Sequence, residues 1–241
     1  MFKRHELLKR HPKTVSDPEI GIFTKREVYL IAVFILIAVF ISIFPRSLTN
    51  PIKIITNLLI FSIIIIISMS VKKLAAPYYA IKIEHKIWEL QRVGYRARSH
   101  FKKPLPFGLI LPIFLSIFSF GYVKPFIFFQ FNAEDIPEKR LLKARGERKP
   151  QRKETINEED LAYTTASGFY SLIALALIGL FIKSFLNFGF GASLAKYSIY
   201  YSLWNMIPFS QLDGGKLFFG SVITWIFILM IQVILLLIII F

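Results

Sequence analysis

The stretch Asn205-Met206-Ile207-Pro208-Phe209-Ser210-Gln211-Leu212-Asp213-Gly214-Gly215-Lys216 lies between two apolar segments and holds the only acidic residue after Asp160. A carboxylate beside a hydrophobic span is costly, so Asp213 is a functional candidate by default. Pro208 interrupts a helix, and Gly214-Gly215 lets the backbone turn sharply. Irregular backbone at membrane depth is tolerated only inside protein or beside a cavity. The stretch therefore predicts a buried break between two spans.

The rest of the chain supports a membrane setting. Of its 241 residues, 55% are hydrophobic, and the mean hydropathy is +0.56. Ordinary soluble domains are less apolar. Charge-free runs cover 28–44, 54–71, 104–123, 161–182, 184–195, 197–212 and 217–241. Several reach or approach the roughly 20 residues a helix needs to cross a bilayer core. The expected fold is an all-α polytopic membrane protein with five to six transmembrane helices and a possible re-entrant segment.

Charge sets the expected topology. The formal net charge is +15, concentrated in segments that flank spans. No nucleic-acid motif accompanies it, so the expected partner is the lipid bilayer, with anionic headgroups at the basic loops. Residues 1–27 form a basic segment expected on the cytoplasmic side, and the first span is read as retained. An N-terminal membrane half, 28–131, contains two spans, a basic loop at 72–103, and the Pro- and Gly-rich stretch 104–131. That stretch reads either as a kinked span or as a re-entrant hairpin. A charged loop at 132–160 is expected to order poorly around 144–155. The C-terminal membrane half, 161–241, holds a Gly-containing turn at 187–192 and a re-entry through 196–204, and it ends in a span at 217–241.

Asn-x-x-Pro followed by Leu-Asp-Gly resembles the second signature of the site-2 protease family, which are intramembrane zinc metalloproteases of the M50 type. The resemblance implies that Asp213 stands at a zinc-ligand position and that Asn205, Pro208, Leu212 and Gly214 shape a substrate or partner groove. Ala166-Ser167-Gly168-Phe169 loosely resembles the family's small-residue motif. The family's remaining ligands and general base come from H-E-x-x-H, which gathers two imidazoles and a carboxylate on one helix face. This chain has four His and no such motif. The preferred alignment sets Lys72, Lys73 and Ala76 where the first His, the base and the second His belong. Ammonium groups repel Zn²⁺.

The resemblance therefore points to a catalytically inactive homologue with no catalytic residues and no cofactor, which binds a membrane client or partner. Asp213 would then cap the following helix or pair with Lys72, Lys73 or Lys216. An active metalloprotease with an unconventional zinc site is the alternative, using His85, Asp213 and a third ligand such as His100. A small transporter or lipid-handling subunit is a third reading, though no inverted repeat supports it. His85 and Glu89 stand at i, i+4, which suggests a charged interfacial helix with Trp88 at headgroup level.

Overall fold

A computed structural model describes residues 19–20, 22–45, 50–92, 100–136, 156–186, 189–209 and 211–241. The chain is mostly helical. Helix α1 (Lys25–Ile43) starts at a capping box, in which the Thr24 hydroxyl accepts from the Glu27 amide and the Glu27 carboxylate accepts from the Thr24 amide. This satisfies two amides that lack helical partners. Helix α2 (Pro51–Ala75) is capped by Asn50, with Pro51 in its first turn, where a missing N–H costs nothing. It ends in a 3-10 turn, Ala76–Tyr79, closed by Ala80 in the left-handed region at φ 57°. Helix α3 (Phe107–Phe118) is short, α4 (Glu158–Leu186) is the longest, and α5 (Gly189–Asn205) packs antiparallel along α4. A two-turn helix, α6 (Asp213–Gly220), precedes α7 (Val222–Ile240), whose new start is capped by Ser221.

Among the described residues, four helices are long and apolar enough to cross a bilayer: α1, α2 with its 3-10 turn, α4 and α7. Nineteen residues of helix span about 28 Å, close to the hydrocarbon thickness. α7 is the least buried of them. Ile228, Gln232 and Leu235 are its buried residues, one stripe at helical spacing, with Trp225, Leu229, Ile231, Leu236 and Ile239 partly buried against the core. The core is built from α1, α2, α4 and α5, with Phe34, Phe61, Ile64, Leu172 and Ile199 fully buried.

The mostly helical fold agrees with an all-α membrane protein, to which short strands among the described residues are added. Three antiparallel strand pairs form: β1 (Glu19–Ile20) with β2 (Phe23–Thr24), β3 (Ile81–Ile87) with β6 (Phe129–Asp135), and β4 (Leu90–Arg92) with β5 (His100–Leu105). The expected interfacial helix around His85 is therefore a strand. Ile81, Ile83 and His85 point inward and are buried, while Lys82 is exposed, which is the period-2 pattern of a half-buried strand. The two pieces expected at 187–192 and 196–204 are one continuous helix from Gly189. The final span begins at Val222, after a break at Ser221, and not at 217.

The stretch 104–131 forms a hairpin against the bundle. α3 has 12 residues, about 18 Å at helical rise. It starts where Gly108 meets the Trp88 and Phe128 backbone, and it leads to Gly121 beside the Phe44 carbonyl at the far end of α1. An extended segment then climbs back. Lys124 donates to the Ser42 carbonyl, Phe126 packs on Phe61, and Phe128 stacks on Phe34. β6 then pairs with β3 in register from Ile87↔Phe129 to Ile81↔Asp135. The end of α2 and the start of the charged loop thus lie at the same end of the bundle. The expected poor order at 144–155 concerns residues outside those described.

Candidate functional site

Two cation-bearing positions end α2. Adjacent residues on a helix point about 100° apart, so Lys72 and Lys73 face different neighbours. Lys72 Nζ lies 2.6 Å from Asp213 Oδ2, with both side chains buried. Asp213 opens α6, and 141 residues separate the partners. Gly168 on α4 makes room for this pair: a Cβ there would sit 2.7 Å from Lys72 Cγ. The crevice around the pair is lined also by Ser68, Thr165, Tyr201 and Asn205 and is too tight for a water molecule. Lys216, one turn beyond Asp213, donates to the Phe131 carbonyl, and its Nζ stands 3.3 Å from the Phe131 ring centre. It therefore pins α6 to β6.

Lys73 turns the other way and pairs with Glu27, which is fully buried. Glu27 Oε1 also accepts from the His85 amide at 2.8 Å, and Oε2 accepts from the Thr24 amide at 2.8 Å. One carboxylate thus joins the start of α1, the end of α2 and the sheet. Glu27 was not singled out in the sequence, although Thr24-x-x-Glu27 has the spacing of a capping box; the fold shows that it is a hub.

The His85 ring is buried beside this hub. Its Nδ1 lies 3.4 Å from Glu27 Oε1, outside hydrogen-bonding geometry, and neither ring nitrogen has a hydrogen-bond partner. Burial pushes the imidazole down from its ordinary 6.5 to about 4, against the opposing pull of Glu27. A neutral ring in the folded state and a protonated one in the unfolded chain make unfolding take up a proton between these values. This contribution to stability is complete above pH 6.5 and declines as the pH falls toward 4. Thermal midpoints of wild type should therefore drop more steeply over that window than those of His85→Phe, whose ring still packs on Phe131. Parallel curves would show that His85 carries none of the pH dependence.

The four residues expected to shape a groove sit in different environments. Asn205 is buried and donates from Nδ2 to the Phe126 carbonyl at 2.9 Å and to the Tyr201 carbonyl at 2.7 Å. It ties the returning segment of the hairpin to α5. Leu212 is buried with Trp88 and Ile127. Gly214 is buried inside α6, so its glycine serves close packing and not a sharp turn. Pro208 is exposed between Ile207 and Phe209, which are 38% and 50% exposed. This is the part of the signature that reaches the surface. The capping role considered for Asp213 is not the one observed, since Leu212 takes the cap position without a side-chain bond.

The donor set around Asp213 does not fit a zinc ion. An ammonium group contacts its carboxylate, and Ala76 occupies the position that the resemblance gives to the second His. Among the described residues no three His, Cys, Asp or Glu side chains converge. His5, His11 and the His100 side chain lie outside those described. Comparison with protein-family models, with characterised proteins and with solved structures finds no match to this chain.

Proposed function

We propose that this chain is a catalytically inactive relative of the site-2 proteases that holds a membrane client or partner without cutting it. The observation that carries the reading is the Lys72–Asp213 pair. It joins, by direct contact, the two positions that the resemblance would bridge with a metal. Where a metal would hold the end of α2 to the start of α6, a buried ion pair does so, and no water has room to act as nucleophile. In this reading α5, with 17 residues, is a fifth crossing beside the four longer helices, and the hairpin at 107–135 is re-entrant. The basic N-terminal segment faces the cytoplasm. The partner-facing part of the signature is the exposed Ile207-Pro208-Phe209 corner beside Trp88.

Metal content of the detergent-purified protein tests this. Wild type and Asp213→Asn should both carry less than about a tenth of a zinc per chain. About one zinc per chain in wild type, lost in the variant, would overturn the proposal and put an active metalloprotease with an unconventional site in its place.

A further inference from the structure

At the end of the bundle opposite Lys72 and Asp213, α4, α5 and α7 enclose a cavity of about 160 Å³. Its walls are Leu180, Ala192 and Ile239, with Ser193, and its cations are Lys183 and Lys196. The cavity exists because α4 and α5 touch below it: a Cβ on Gly191 would lie 2.6 Å from the Gly179 carbonyl and 2.7 Å from the Lys183 amide. Both lysines are exposed. Among the described residues, neither has a carboxylate within ion-pair distance. Lys196 Nζ lies 6.0 Å from the centre of the Tyr200 ring.

The position of Lys196 makes this unusual. It is seven residues into α5, about 10 Å from the helix start. A lysine at that depth on a helix face is expensive unless it has a counter-charge or reaches the interface. Lys183, in the last turn of α4, sits on the same cavity. The outer surface beside the recess is apolar, with Leu177, one turn from Leu180 on α4, 51% exposed and Ile238 and Ile240, flanking Ile239 on α7, 55% and 62% exposed. Two unneutralised cations over an apolar-walled recess, next to exposed aliphatic side chains, complement a phosphate that carries acyl chains.

We infer that this recess binds the headgroup phosphate of an anionic membrane phospholipid, with Lys183 and Lys196 as its ligands and the acyl chains lying along the exposed aliphatic side chains of α7 beside Ile239. The lipid neutralises Lys196 and closes the seam between α4, α5 and α7. The inference rests on α5 lying in the membrane and not on the chain being an inactive protease relative.

Native mass spectrometry of the full chain in neutral detergent tests it, with dioctanoyl phosphatidylglycerol as the probe and dioctanoyl phosphatidylcholine as its zwitterionic competitor. Wild type should retain one phosphatidylglycerol in preference to phosphatidylcholine. Lys183→Gln/Lys196→Gln should lose that retention at least fivefold, while a control pair at the other end, Lys25→Gln/Lys86→Gln, should keep it. Both lysines of the test pair are exposed, so the variant folds, and its circular dichroism should match wild type. Equal retention in wild type and the test variant would overturn the site, as would equal retention of the two lipids by wild type. If inorganic phosphate stabilised wild type as much as phosphatidylglycerol does, the site would be one for soluble anions and the lipid assignment would fall.

Discussion

Replacing Asp213 with alanine is expected to destabilise the protein by about 3–5 kcal/mol, the range for removing one partner of a buried ion pair. The cause is less the lost attraction than the cation left behind. Lys72 is 3% exposed, and its Nζ makes its ion pair with Asp213. Without the carboxylate, the ammonium faces a crevice with no room for water, and Lys216 adds a second positive charge one turn away on α6. Lys72→Met should cost less, because Asp213 keeps Lys216 as a neighbouring cation and methionine fills the space of the lysine stem. The double variant Lys72→Met/Asp213→Leu should recover much of the loss, since apolar groups of similar size commonly replace a buried pair at little cost. Unfolding followed by tryptophan fluorescence in micelles gives these values, and the cycle closed with the Asp213→Leu single variant isolates the coupling. A double variant no more stable than Asp213→Ala would mean that the pair does not hold α2 to α6.

The spans were legible because long apolar runs have few other meanings: 28–44, 54–71 and 161–182 lie within α1, α2 and α4 but for one residue at the end of α1. The pairing of Asp213 was half legible. Composition identified a lone carboxylate among lysines, but the sequence offered Lys72, Lys73 and Lys216 alike. Only the rotation between adjacent positions on α2 sends Lys72 to Asp213 and Lys73 to Glu27. The sheet was misread for a definable reason. Ile81-Lys82-Ile83-Glu84-His85-Lys86-Ile87 alternates as a strand, but the i, i+4 pair His85/Glu89 competed as a helical signal. The partner that decides the matter, β6, lies 42 residues beyond Ile87 at its first residue, Phe129, and pairing at that range leaves no local mark. The hairpin at 107–135 was visible as a prolyl and glycyl interruption, yet its direction depends on Gly108 and Gly121 meeting backbone from distant segments. The four groove residues show the limit most clearly. A signature fixes which residues stand in order, but not that Asn205 spends its amide on Phe126 while Pro208 faces outward.

Gly214→Ala should be the most damaging single-methyl change in the signature. A Cβ at Gly214 would sit 2.3 Å from both the carbonyl carbon and the oxygen of Met206, and 2.7 Å from the Ile207 oxygen. These are backbone atoms, so no rotamer change relieves the clash. The Met206 carbonyl also accepts from Trp225 Nε1 at 3.0 Å, and moving it breaks that bond between α5 and α7. Helix propensity pulls the other way, since alanine in place of glycine favours α6 by about 1 kcal/mol. Overpacking in a tight core costs about 1–3 kcal/mol and more where backbone must shift, so the clash wins. Gly189→Ala is the matched control: nothing lies within 4 Å of its Cβ, and it should be neutral or slightly stabilising. Thermal midpoints of the two variants in micelles should therefore move in opposite directions or differ by several degrees. A Gly214→Ala protein as stable as wild type would show that the 206–212 turn yields. The Lys72–Asp213 contact would then be held by a segment that can swing away from it, and the exposed corner at Pro208 would move with the buried carboxylate as one hinged unit.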